Sequence, residues 1–254
     1  VYCTGSDQVW GKIGDDNYDE AYFLEFVDSN KKCISYASSF GKANINEKLD
    51  KQLNRLLSKY SSITVREDSA IELLKKKGIT AKQALDPVYL LDSDDWNQMI
   101  GDIKFDKKYI LIYQLHNNKQ FEEYCQKVSK KLKLPLIRIS ISWIYVLKPG
   151  KLSLLPTLQE FMAYFRDAEY IITDSFHGTS FALLFNKKFI DILPGDTSTR
   201  ITSILKSVGL QGQILKDYND FNVIKKDIDY KKVNDIITKQ RQESIKLLKT
   251  SIES

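Results

Sequence analysis

The chain predicts a parallel α/β protein. Short β-rich runs alternate with helical patterns from end to end. Several runs, such as Tyr109-Ile110-Leu111-Ile112-Tyr113, are continuously apolar, as strands covered on both faces are. The most suggestive polar residues each fall just after such a run, where the carboxyl ends of parallel strands collect their loops.

The elements follow in order. Val1-Tyr2-Cys3-Thr4 reads as the end of a buried strand with no initiator methionine, so an earlier part of this domain is expected before it. The loop Gly5-Ser6-Asp7-Gln8 comes next, and Lys32 to Tyr36 reads as a second strand stopping at Ser38-Ser39-Phe40-Gly41. Asn44 with Glu47 forms a capping-box pattern, behind which Ile45, Leu49, Leu53, Leu56, Leu57 and Tyr60 fall on one helical face. Ile63-Thr64-Val65 is a short strand ending in Arg66-Glu67-Asp68, and the helix after it closes at Gly78 in the C′ position. Ala84-Leu85 stops at Asp86-Pro87.

From Leu91 to Lys107 the pattern lapses into polar and acidic residues, read as the crossing to a second domain. The strand at 109–113, a helical stripe through Phe121, Tyr124, Cys125, Val128 and Leu132, and a strand at Leu136–Ile139 open that domain. Residues 140–156 read as irregular, a length that in a compact domain marks a functional or mobile loop. Leu158 to Phe165 is helical, Tyr170–Thr173 a strand, and a short helix runs through Phe185 to a parallel partner at Phe189–Leu193. The tail from about Tyr230 to Ile252 reads as one long helix. The domains are therefore expected at 1–92 and 93–228, with a C-terminal helix at 229–254.

Composition narrows the function. The net charge of +5 comes from scattered lysines, and no basic and aromatic residues alternate as in a single-strand stacking platform, so nucleic acid is not an expected partner. Cys3, Cys33 and Cys125 are odd in number and widely spaced, which argues against a disulfide framework and a structural zinc. The two histidines, His116 and His177, lie far apart with no carboxylate at ligand spacing, so no metal is expected. No run reaches the roughly 18–20 apolar residues of a membrane span, and no signal-peptide pattern is present, which reads as cytoplasmic. GxxxxGK[ST], GxGxxG and GxSxG are all absent, so triphosphate, dinucleotide and serine-elbow readings lose their usual support.

Thr173-Asp174-Ser175-Phe176-His177-Gly178-Thr179 is the sharpest segment. Asp174 or Ser175 can cap the following helix, and Gly178 permits a close approach by a ligand or a neighbouring chain. A helix N-terminus suits a phosphate or carboxylate, and His177 falls in that first turn; a half-buried structural histidine is the other reading. Arg66 at a strand end can hold an anion bidentately or pair with Glu67 or Asp68, and Arg200, in the loop after Pro194-Gly195, is a second anion candidate. His116 reads as a solvated loop residue.

Taken together, five stretches resemble the polysaccharide pyruvyl transferase family. They are Gly5 to Trp10, Tyr36 to Gly41, Val65 to Ala70, Leu85 to Leu91, and Thr173 to Thr179 continuing through Phe189. Their order and spacing over roughly 200 residues carry the likeness, and the C-terminal helix has no matching motif. The resemblance implies two Rossmann-like parallel-sheet domains facing each other in a GT-B-like fold, with the N-terminal domain incomplete in this chain and the active site between the domains. It implies phosphoenolpyruvate as donor substrate, no cofactor, and a sugar or glycan acceptor, lipid-linked or not, that receives a pyruvate ketal.

Carried over by position, His177 matches the motif histidine and Arg66 an arginine thought to hold the donor. Asp86 and Asp7 become candidates to assist an acceptor hydroxyl. Ser6, Ser38, Ser39, Ser175, Phe176, Gly178, Thr179 and Arg200 complete the expected substrate-binding set. Some members have arginine where this chain has Ser175, and Arg200 is the residue able to supply the missing charge. Two other functions fit the same fold: a glycosyltransferase using a nucleotide sugar, and a non-catalytic glycan-binding protein. The basic final helix allows contact with an anionic membrane at its inner face, or a plain solvated surface. The sequence leaves the oligomeric state open.

Overall fold

A computed structural model describes residues 1–11, 18–42, 44, 45, 47–195 and 198–254. The chain forms two compact units, one of Val1–Leu90, Gly195–Ile204 and Asp235–Ser254, the other of Leu91–Pro194 and Leu205–Asn234. The sequence suggests 93–228 as one continuous segment and sets the last helix apart. The contacts instead return the chain to the first unit twice.

In the first unit β1 (Tyr2–Thr4), β2 (Cys33–Ser35) and β3 (Tyr60–Ser62) lie parallel in the order β1-β2-β3. Helix α1 (Glu47–Leu57) precedes β3, and β4 (Thr64–Val65) pairs in parallel with β5 (Lys82–Gln83) across α2 (Asp68–Lys76). The expected 63–65 strand is β4 at 64–65, and a separate strand, β3, precedes it at 60–62; the β2–β3 register shifts between Cys33 and Ile34. Tyr60, expected on the helical face, begins β3 because α1 ends at Leu57. The Asn44–Glu47 box adjoins Asn46, which lies outside the described residues. Gly78 follows the end of α2 at φ +74°, the left-handed C′ geometry the sequence predicts. Trp10 is fully buried, stacked on Phe23 at 5.6 Å and tilted against Phe40 at 5.5 Å, which ties the Gly-Ser-Asp loop to the core.

The second unit opens with α3 (Ser93–Ile100), where the sequence suggests only a polar crossing. Its acidic residues are the helix start: Asp92 caps the backbone of Asp94 and Asp95, and the Asp95 side chain accepts from the N–H of Asp92. Strand β6 (Ile110–Tyr113), α4 (Lys119–Leu132), β7 (Leu136–Ser140), β8 (Lys151–Leu154), α5 (Leu158–Asp167), β9 (Tyr170–Thr173), α6 (Phe176–Leu184) and β10 (Lys188–Asp191) follow. All five strands are parallel, ordered β10-β9-β6-β7-β8. β8 lies inside the segment expected to be irregular; its Lys-Leu-Ser-Leu is a half-polar edge strand without the apolar run that marks the central ones. Among the described residues, α7 (Thr199–Ser207) and α8 (Tyr230–Glu253) complete the helices, and none is long and apolar enough to cross a membrane.

Ile110, Ile112, Ile172 and Ile190 pack against Phe121, Tyr124, Cys125 and Val128 of α4 on one face of this sheet. On α5 and α6, Phe161, Phe165 and Phe181 interlock at 5.1–5.8 Å, and Trp96 of α3 meets Phe181 edge-on at 5.3 Å. Full burial of each such ring contributes about 1.5–3 kcal/mol. Successive strands run from β6 outward to β7 and β8, after which the chain crosses to the other side of β6 for β9 and β10. The reversal makes a topological switch point at the carboxyl ends of β6 and β9, where a doubly wound sheet opens a ligand crevice.

Candidate functional site

The first unit gathers its polar residues at the carboxyl ends of its short strands. Single bridges Asp7↔Ser38 and Ser38↔Val65 hold the three strand ends side by side. The Arg66 guanidinium, almost fully buried, donates through Nη2 to Ser6 Oγ at 2.6 Å and lies 2.9 Å from Asp86 Oδ2 and 3.8 Å from Asp7 Oδ1. Ser6 Oγ is also within 3.1 Å of Asp86 Oδ2 and 3.0 Å of the Ala37 carbonyl, so its single proton goes to one of the two. Arg200 reaches the same place from α7, with Nη1 3.0 Å from Asp7 Oδ1. Asp7 thus stands between two guanidiniums, exposed, at φ +85°.

Burial lowers the Arg200 pKa first of all, and the neighbouring Arg66 charge lowers it further while Asp7 opposes. Two buried cations this close disfavour each other, and an anion placed between them relieves the repulsion. The sequence puts Arg200 in a loop; it sits in the first turn of α7, where Ile201, Ile204 and Leu205 form the buried face. Its β-branched and hydroxyl residues hide that helix from propensity reasoning. Asp196 and Thr197, the start of the expected loop, lie outside the described residues.

Ser38 and Ser39 are fully buried behind this cluster. Ser38 donates to the Gly5 carbonyl at 2.9 Å, and Ser39 to Glu67 Oε1 at 2.9 Å, an oxygen that also accepts from the Phe40 N–H at 3.1 Å. Burial raises the Glu67 pKa, against the pull of Ser39 and Arg66. Glu67 therefore braces the Ser39–Phe40 turn. Gly41 completes that turn at φ +70°, and a Cβ there would come within 2.4 Å of Gln8 Nε2.

In the second unit the motif segment sits at the switch point. Ser175, in extended backbone, caps α6 by accepting from the Gly178 N–H at 3.4 Å. Asp174 does not cap. Its buried carboxylate accepts from the N–H of Leu115 at 2.7 Å and of His116 at 2.9 Å, with His116 Nδ1 at 3.1 Å. One carboxylate thereby joins the loop after β6 to the loop after β9. His116, about half exposed, is held in place through that bond. His177 lies half-buried in the first turn of α6, its ring edge-on to Phe176 at 5.4 Å.

Gly178 is required by a neighbouring chain segment: a Cβ would stand 2.2 Å from Thr173 Oγ1. Thr173 Oγ1 in turn donates to the Tyr113 carbonyl at 2.7 Å and accepts from the Ser175 N–H, so α6 is seated directly on β9. Thr179 is fully buried, its hydroxyl 2.7 Å from Asp191 Oδ1 and 3.0 Å from the Ser175 carbonyl. The structure thus brings Ser6, Asp7, Arg66, Asp86 and Arg200 together in one unit, and Ser175, Phe176, His177, Gly178 and Thr179 in the other.

Sequence reasoning passes over two groups. Asp191, at the end of β10, is fully buried, and burial followed by the Asp174 charge pushes its carboxyl up to about 8. Its Phe-Ile-Asp-Ile context, an acid inside an apolar strand, is the available signal. Arg138 on β7 pairs with buried Glu122 and donates to Gln114 Oε1 at 2.6 Å. An arginine inside Leu-Ile-Arg-Ile marks it, but its partners come from 16 and 24 residues away.

A family model for polysaccharide pyruvyl transferase matches residues 1–195. No curated protein sequence matches the chain. Among solved structures, a putative UDP-N-acetylglucosamine 2-epimerase from Listeria monocytogenes aligns with a TM-score of 0.51 at 16% identity, covering 88% of this chain and 64% of that one. A UDP-N-acetylglucosamine 2-epimerase from Rickettsia bellii aligns with a TM-score of 0.49 at 12% identity, covering 86% and 67% respectively. The chain therefore spans about two thirds of the length of these structures. At such identities the first likeness speaks to the fold, a pair of parallel α/β units, and to nothing else.

Proposed function

The chain belongs to the polysaccharide pyruvyl transferase family, and we propose that it moves the enolpyruvyl group of phosphoenolpyruvate onto a sugar of a polysaccharide or lipid-linked glycan to form a pyruvate ketal. The observation that carries this reading is the pair of guanidiniums, Arg66 and Arg200, held around Asp7 and Ser6. A small anionic donor carrying both a phosphate and a carboxylate suits two planar forks set close together.

The chemistry is assigned residue by residue. Arg66 and Arg200 capture the donor's charges. His177 delivers a proton to the methylene carbon, so that positive charge develops at the carbon bearing phosphate. A sugar hydroxyl attacks that carbon and gives up its proton, with Asp7 or Asp86 as the acceptor. A neighbouring hydroxyl then attacks the same carbon as its bond to the phosphate oxygen breaks, its proton leaving on the inorganic phosphate, and closes the ketal ring. A histidine is suited to the proton delivery because its ordinary pKa lies near neutrality.

The test is phosphate release from phosphoenolpyruvate with a panel of galactosyl and N-acetylmannosaminyl acceptors, with His177→Ala as control. Acceptor-dependent release that falls by about 10²–10⁴ in the variant supports the reading. Near-normal turnover in His177→Ala removes histidine from the mechanism. Tight nucleoside diphosphate binding that phosphoenolpyruvate does not compete away replaces the reading with a nucleotide-sugar transferase.

A further inference from the structure

The segment between β7 and α5 places apolar side chains in solvent. Ile141, Trp143, Ile144, Val146, Leu147 and Leu155 are each more than half exposed, Leu147 at 94%. Leu158 at the start of α5 and Leu115 after β6 are exposed as well. A cavity of about 530 Å³ opens among them at the carboxyl ends of β6 and β7, with Tyr113, Ile139, Ile144, Leu158 and Phe161 in its walls. Single exposed apolar residues are ordinary; a contiguous patch of this kind marks a binding surface.

The patch is anchored. Buried Arg138, paired with Glu122, reaches the Pro149 carbonyl at 3.4 Å and lies 5.2 Å from the ring of Tyr145, itself buried under the segment. Lys148 Nζ adds a bond to Asn117 Oδ1 at 3.1 Å. The polar network holds the backbone from beneath while the large apolar side chains point away from it, so they cannot all fold back into the core.

Charge identifies what covers it. The chain has 33 acidic residues, yet none falls between Ile139 and Gln159. The same stretch carries Lys148 and Lys151, the latter exposed on the edge strand β8. An apolar face with a tryptophan, several long aliphatic residues and an exposed lysine, in a segment with no acidic residue, has the composition of a segment lying in a membrane interface.

We propose that this face docks on an anionic bilayer, with Trp143 at headgroup depth, the aliphatic side chains at the hydrocarbon boundary and Lys151 against lipid phosphates. It stands on the patch itself and does not depend on the transferase reading.

The experiment is flotation of the full chain with phosphatidylcholine vesicles prepared with and without phosphatidylglycerol. Binding is expected to the phosphatidylglycerol vesicles, to weaken roughly fivefold when Lys151 is replaced by serine, and to fall more than about tenfold in W143S/L147S. Both replaced residues are exposed, and far-UV circular dichroism shows whether the variant keeps the fold. Trp143 fluorescence should be quenched by brominated-chain lipid, with W143F as the blank for Trp10 and Trp96. Absence of binding by the wild-type chain, or equal binding by W143S/L147S, overturns the proposal. So does a wild-type dimer in sedimentation velocity that W143S/L147S converts to monomer, since a second copy then covers the face. None of these readouts uses turnover, so they fail or succeed apart from the transferase assay.

Discussion

Asp191→Asn isolates a buried acid under the motif helix. Asp191 Oδ1 accepts from the Thr179 hydroxyl at 2.7 Å, while Oδ2 is buried with no hydrogen-bond partner among the described residues. Burial, and after it the Asp174 charge, pushes this carboxyl up to about 8 from an ordinary value of 3.8. Between those values the folded chain keeps a proton that the unfolded chain has released, so stability falls as pH rises, by about 1.4 kcal/mol per unit. The loss is absent below about pH 4, complete above about pH 8, and at most about 6 kcal/mol over the roughly four units between. That is comparable to the whole stability of many domains, about 5–15 kcal/mol. Asparagine has the shape of the protonated acid, keeps an acceptor for Thr179 and does not titrate. Urea unfolding of both proteins, followed by far-UV circular dichroism from about pH 5 to about pH 8, should show the variant's advantage growing by about 4 kcal/mol. Parallel stability curves would refute a protonated Asp191. Taking the difference between the two proteins cancels every other titrating group.

Gly178→Ala should destabilise the second unit by about 1–3 kcal/mol, because the new methyl must displace Thr173 Oγ1 from 2.2 Å; thermal unfolding reads this, and adding Thr173→Ala should recover part of the loss. Ser175→Ala removes the α6 cap and should cost about 1 kcal/mol in the same assay. Arg138→Leu strands buried Glu122 and should cost about 3–5 kcal/mol, much of it regained in Arg138→Leu/Glu122→Leu. Arg200→Ala, in contact with Asp7, should raise the KM for phosphoenolpyruvate by roughly 10–100-fold with a smaller change in kcat. An unchanged KM would separate Arg200 from donor binding.

Much of the fold is legible in the sequence because its signals are local. The continuous apolar run at 110–113, the stripe of α4 and the Gly78 stop each depend on residues within a few turns of one another. The misses have their own causes. Acidic capping residues make α3 look like a linker, β-branched and hydroxyl residues hide α7, and half-polar β8 at a sheet edge lacks the apolar run of the central strands. For α3 the capping box is local, but its acidic residues read equally as a linker; for β8 the strand pairing that fixes it lies outside the window that sequence reasoning scans.

For the site, the sequence by itself determined which chemistry-bearing residues follow the strands: Ser6, Asp7, Arg66, Asp86 and the Asp-Ser-Phe-His-Gly-Thr segment. Only the tertiary structure decided their partners. Arg66 lies on Asp86 and Ser6, from 20 and 60 residues away, and Arg200 joins Asp7 across 193 residues. Asp174 gives its oxygens to the loop after β6 and leaves the cap to Ser175. Strand ends are set by short-range patterning, whereas ion pairs and buried hydrogen bonds are set by strand order. The order β10-β9-β6-β7-β8 is a property of the whole packed sheet.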